Sequence, residues 1–185
     1  MGRLPIPALT KKVIEEAIKY ADLGTLYGIA FDCFEMTGEY AFTISIYEKA
    51  IKWCYRDNNT SRLSLMGAQM LGSSSGYFVA WGKELVHEAK ALSDKQKELP
   101  KETFESLLLE ADLHRSFHKM QKALAIYRKL EYCYPYDHKV LLGIGKIMHE
   151  EKKYTEAFGY FKKILDLGYR DMEVEALLQN SAYKN

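Results

Sequence analysis

The chain has 185 residues, 48% apolar and 28% charged, which is enough for a continuous core and, in a repeat protein, for about four repeats with caps. Its 26 basic and 25 acidic residues leave a net charge of +1, which excludes the long-range field that gathers nucleic acid or anionic lipid. Cys33, Cys54 and Cys133 are too few and too scattered for a disulfide framework or a thiolate metal site, and predict reduced core thiols in a cytoplasmic protein. No apolar run approaches the roughly 20 residues of a spanning helix. The opening Met-Gly-Arg-Leu-Pro-Ile lacks a signal-peptide core, and Ile6 breaks the myristoylation pattern.

Only Pro5, Pro7, Pro100 and Pro135 interrupt long stretches with apolar residues at three- and four-residue spacing, which predicts an all-α chain. A first helix from Pro7 or Thr10 carries Val13, Ile14, Ala17, Ile18 and Ala21 and closes at Gly24. A second runs from Thr25 to Thr37, with a turn at Gly38. A third turns Tyr40, Ile44, Tyr47, Ala50 and Ile51 inward and fades at Asp57-Asn58-Asn59. Thr60 or Ser61 is expected to cap a fourth, carrying Leu63, Leu65, Met66, Met70 and Leu71. Gly72-Ser73-Ser74-Ser75-Gly76 breaks it. A fifth, Tyr77 to Ser93, has Trp81, Leu85, Ala89 and Leu92 on one stripe, and Asp94 to Pro100 reads as a charged connection.

The second half is more regular. Helices are expected over Lys101 to Phe117, His118 to Tyr134, His138 to Glu150 and Tyr154 to Leu167. Asp137 is placed to cap the third of these, and Gly168 to stop the fourth. A last helix, Asp171 to Ser181, offers Met172, Val174, Leu177 and Leu178 as a lid. Within this half Ala111, Ala123, Tyr127, Leu130 and Pro135 recur 34 residues later as Gly145, Ala157, Phe161, Ile164 and Tyr169. Such a period marks a helix-turn-helix unit that buries its apolar face by stacking on its neighbours.

These helix pairs resemble tetratricopeptide repeats. Residues 138 to 171 fit with Leu141, Gly145, Met148, Tyr154, Ala157, Phe161 and Ile164, and "KKYTEAFGYFKKIL" is similar to the family's second helix. Residues 104 to 137 fit with Leu107, Ala111, Ala123, Tyr127, Leu130 and Pro135. Residues 24 to 57 fit with Tyr27, Phe34, Gly38, Tyr40, Tyr47 and Ala50, although Phe31 and Thr43 stand where small residues are expected. Residues 60 to 93 fit poorly. The resemblance implies one domain over residues 1 to 185, a right-handed α-solenoid of three to four pairs with an N-terminal helix and a capping helix over 171 to 181.

In that geometry the first helices of the pairs line a concave groove formed by Asp32, Glu35 and Met36, then Leu65 and Gln69, then Leu108, Asp112 and Arg115, then Lys139, Leu142, Lys146 and His149. Its N-terminal end is acidic and its C-terminal end basic, which suits a polypeptide segment of opposite polarity. Capture of acidic chaperone tails needs cations where this chain has Gly28, Asp32 and Gln69, so it is not expected. Glu110, His114 and His118 have metal-ligand spacing, but the family register reads His114 as packed and His118 as a turn residue. The isolated "HEAK" of His87 to Lys90 lacks a second histidine, and no nucleophile-base set or phosphate loop is present.

The resemblance therefore implies a non-catalytic adaptor for a partner protein, without cofactor or metal, in the layout of secretion chaperones built from such repeats. Two other classes were weighed against it, and only the first stays open; neither nucleic acid nor membrane insertion is expected. One is a sensor domain with repeats nearer 40 residues, binding a peptide or small ligand near Trp81. The other is an RNA-reading helical repeat, which needs a basic concave face that the net charge of +1 does not provide.

Overall fold

The computed structural model describes residues 16, 23–37 and 39–183. These are helical, with no strand among the described residues. In chain order the helices are α1 (Leu23–Thr37), α2 (Tyr40–Arg56), α3 (Thr60–Leu71), α4 (Gly76–Glu98), α5 (Lys101–Ser116), α6 (Met120–Cys133), α7 (His138–Glu150), α8 (Tyr154–Asp166) and α9 (Met172–Tyr183). No described helix is long and apolar enough to cross a membrane. Cys33, Cys54 and Cys133 are buried thiols.

The described chain divides into two compact units. The first holds the described residues up to Cys54 together with Asn59–Lys90, and the second holds Tyr55–Asn58 and the chain from Ala91 onward.

The first unit closes on aromatic rings. Phe78 is buried, with its centroid 4.7 Å from Phe34, 5.5 Å from Tyr47 and 6.3 Å from Trp81. Offset and edge-on pairs of this kind add about 0.5–1.5 kcal/mol each beyond the area they bury. α3 and α4 approach so closely that a Cβ added to Gly82 would lie 2.6 Å from the carbonyl oxygen of Gly67. Only glycine permits that crossing. Thr43 is buried in α2, and its hydroxyl finds no partner among the described residues.

Several details differ from the expectations. The first expected helix lies outside the described residues except for Glu16, as does the turn expected at Gly38, and Gly24 falls inside α1 rather than ending a helix before it. The buried stripe of α2 is Thr43, Ile46, Tyr47, Ala50, Ile51 and Cys54, so Tyr40 is exposed. Leu65 and Leu71 are exposed likewise, because α3 turns Leu63, Met66, Gly67 and Met70 inward. Asn59, not Thr60 or Ser61, caps α3, accepting the Arg62 N–H at 3.0 Å. α4 continues to Glu98, through the segment expected to connect, since its charged residues are equally compatible with an exposed helix face.

In the second unit each helix from α5 to α9 packs on the next in sequence. Four pairs of the echo lie in its core: Ala111, Ala123, Tyr127, Leu130, Ala157, Phe161 and Ile164 are all buried, with Gly145, whereas Pro135 and Tyr169 are half-buried. Gly145 faces Phe161, where a Cβ would meet the ring at 2.6 Å. Asp137 caps α7, accepting the Lys139 and Val140 N–H groups at 3.0 and 3.2 Å. Gly168 turns the chain after α8 with φ of +89°, a conformation other residues rarely adopt. In α9 Val174 is buried and Leu177 and Leu178 pack on the core, but Met172 is 87% exposed and covers nothing.

Two glycine substitutions should separate close approach from helix propensity. Gly82→Ala should lower the free energy of unfolding by about 2 kcal/mol or more, because main chain stands in the way of the new methyl. Gly159→Ala, at a position in α8 with open space around it, should raise stability by about 0.5–1 kcal/mol. Urea titration of the far-ultraviolet signal measures both.

Candidate functional site

The residues expected to line a groove fall in both units. In the first unit Asp32 is exposed, whereas Glu35 is engaged within the fold. Its Oε1 accepts the Ser73 hydroxyl at 2.9 Å and the Ser74 N–H at 3.2 Å. The glycine-serine turn is thereby tied to α1. Met36 belongs to α1, but its side chain lies outside the described residues. Leu65 is 55% exposed, and Gln69 has a buried Oε1 with no partner among the described residues.

The second unit carries a cleft of about 910 Å3, walled by Arg56, Asp57 and Asn58, by Lys101, Phe104, Glu105, Leu108, Leu109 and Asp112 of α5, and by Tyr134, Asp137, His138, Lys139 and Tyr169. Gln96 completes it. Three expected residues, Leu108, Asp112 and Lys139, meet here. Leu108 is only 8% exposed, so it is part of the core as well as part of the floor. Leu109, 63% exposed, is the larger apolar surface offered, and Leu113 and Phe117 continue it at four-residue spacing.

Core packing sets the positions of the polar groups. Tyr127 is fully buried, yet its hydroxyl emerges to donate to Asp112 at 2.6 Å. Burial, and then the Asp112 carboxylate, push this phenol far above its ordinary range, so it stays a donor. Arg115 stands 3.7 Å from Asp112 and 3.9 Å from Glu150. Tyr134 donates to the Leu99 carbonyl at 2.9 Å while its ring packs 4.5 Å from Phe104. Tyr169 stacks 4.2 Å from His138 and donates to the Arg56 carbonyl at 2.9 Å. Burial raises the Tyr169 pKa to about 12, which keeps that hydroxyl protonated.

The other expected residues lie outside this cleft. Leu142 faces a small cavity of about 100 Å3 with His138, Ile164, Tyr169 and Val174. Lys146 pairs with Glu173 at 2.7 Å. His149 packs 5.3 Å from the Tyr154 ring, with its Nε2 unpartnered among the described residues. His114 sits 3.7 Å from Glu110, whereas His118 lies beyond the end of α5 with φ of 56°, off that helical face. Among the described residues no cluster of histidine, cysteine and carboxylate is arranged to hold a metal.

Phe104, Leu109, His138 and Tyr169 were not expected as lining residues, and Tyr134, open from its sequence position to a surface or a packing role, lines the cleft whereas Tyr136 does not. Tyr134 and Tyr169, close to the turns that follow α6 and α8, were the available signal, because an aromatic ring with a wet hydroxyl favours such edges. In comparisons with protein-family models, curated proteins and solved structures, nothing matches this chain.

His138 supplies a pH dependence. Burial disfavours its imidazolium and lowers its pKa below the ordinary 6.5, against the partial support of Asp137 and Asp171. The unfolded chain therefore binds the proton more readily, and stability falls as pH drops through 6.5 toward the lowered value. The melting temperature should decline on acidification from pH 7.5 to 5, and less steeply in His138→Gln, which carries no titrating group.

Proposed function

We propose that the second unit is a stack of tetratricopeptide-type hairpins and that its cleft binds a segment of another polypeptide without catalysing a reaction. The observation that carries this reading is the composition of the cleft. Phe104, Leu108, Leu109 and the rings of Tyr134 and Tyr169 line it together with Lys101, Glu105, Asp112 and Lys139. An apolar floor gives affinity to buried side chains, and a rim of both signs selects register and orientation. The 34-residue echo supports the hairpin reading, since equivalent positions of successive pairs are buried alike.

A chaperone-like role, in which the partner segment is held extended and kept from aggregating, uses the same surface. The acidic-to-basic gradient expected over the whole chain contributes little here. Glu35, Asp112, Arg115 and Lys146 are engaged within the protein, and the cleft itself carries both signs.

The test is selection of a random displayed peptide library on the full chain. Retained peptides should lose affinity about tenfold, or 1.4 kcal/mol, on Leu109→Lys or Lys139→Glu. Both positions are exposed, so melting temperatures should stay within about 2 °C. A library that yields no binder, or binders indifferent to both substitutions, overturns the reading.

A further inference from the structure

Beyond the cleft, α5 turns a row of large apolar side chains to solvent. Leu109 is 63%, Leu113 50% and Phe117 68% exposed. They follow one another at four-residue steps, so they form one stripe about 12 Å long. Leu109 also lines the cleft, whereas Leu113 and Phe117 do not. Apolar residues scattered singly over a surface need no explanation, but a contiguous row marks a surface that meets a partner.

The charges around the stripe indicate what that partner carries. Glu102 and Glu105 are exposed, seven and four residues before Leu109, which puts them on its face of the helix. Neither forms an ion pair among the described residues. Glu110, three residues before Leu113, is 3.7 Å from His114. Of the two cations of α5, Lys101 lines the cleft and Arg115 is held between Asp112 and Glu150. At the far end Lys119 stands 5.9 Å from the centre of the Phe117 ring. The stripe therefore begins in negative charge and ends beside a positive one.

We infer that this face docks an amphipathic helix of a partner protein, with apolar residues at three- and four-residue spacing and lysine or arginine in its last turns. A row of apolar side chains is what such a helix lays its own anchors against. The partner helix runs antiparallel to α5, which puts its cations opposite Glu102 and Glu105 and its first turn beside Lys119. The helix dipoles agree, since the negative end of each then meets the positive end of the other. A second copy of this chain suits the face less well, because a stable interface usually buries about 800 Å2 per partner and the stripe is one helix wide. At Leu109, where the docked helix reaches the cleft, the inference rests on the proposed function; at Leu113 and Phe117 it stands apart from it.

The probe is a fluorescent synthetic peptide of roughly 18 residues, long enough to hold a helix in water. It carries a leucine stripe, glutamates in its first turn and lysines in its last two. Titrated by anisotropy against the full chain, it should lose affinity about tenfold on Leu113→Gln or Phe117→Gln. Glu102→Lys should weaken it about threefold, and strengthen to the same extent a twin peptide whose lysines are replaced by glutamate. All three positions are exposed and none lines the cleft, so each variant should melt as the unaltered chain does. No binding of the probe, equal affinity for the chain and its Leu113 and Phe117 variants, or no reversal at Glu102 overturns the inference. So does a dimer of the unaltered chain, seen by sedimentation, that Leu113→Gln abolishes, because the face would then belong to a second copy. Library peptides that depend on Lys139 but on neither Leu113 nor Phe117 would remove the docked helix and leave the proposed function standing.

Discussion

Close approach of helices is the constraint on which this structure depends, and it is met by deleting side chains. Where α7 passes α8, Gly145 leaves room for the Phe161 ring. Where α6 passes α7, Gly143 does the same for Tyr127, whose ring occupies the place a Cβ would need. Each large ring fills a hole made by a missing side chain, which is how large and small residues interdigitate in a close-packed interior. The first unit solves the problem differently, with glycine on both helices: Gly67 and Gly82 bring main chain against main chain.

The same packing builds the cleft. Tyr127 is a core residue whose only polar side-chain atom holds Asp112 at the rim, so the geometry of the hairpin fixes the orientation of a surface carboxylate. Leu108 is floor and core together. Tyr134 and Tyr169 use their hydroxyls on main-chain carbonyls, which holds their rings in the lining. A cleft made of residues that also close the core is preorganised, and binding to it sacrifices little further conformational entropy.

Much of the fold was legible because helical periodicity is a local property. Ala111, Ala123, Tyr127, Leu130, Ala157, Phe161 and Ile164 could be placed inside from their spacing alone, and each is buried. Asp137 and Gly168 were legible because a cap needs a short acceptor and a left-handed turn needs glycine. The buried stripe of α2 was misjudged by about one position, since Tyr40 and Ile44 match the periodicity nearly as well as Thr43 and Ile46 do. Helix ends were less certain for the same reason: the charged run after Ser93 could continue a helix or leave one.

By itself the sequence determined the helical character of the described residues and the 34-residue spacing of its second half, because each of these depends on residues near one another along the chain. Only the tertiary structure decided that Glu35 anchors a serine turn, that Gly143 makes room for Tyr127, and that Arg56, Asp57 and Asn58 wall a cleft with Tyr169, more than a hundred positions away. Those outcomes depend on which surfaces meet after the helices form. A periodic pattern marks the face that will be buried and leaves open what will cover it.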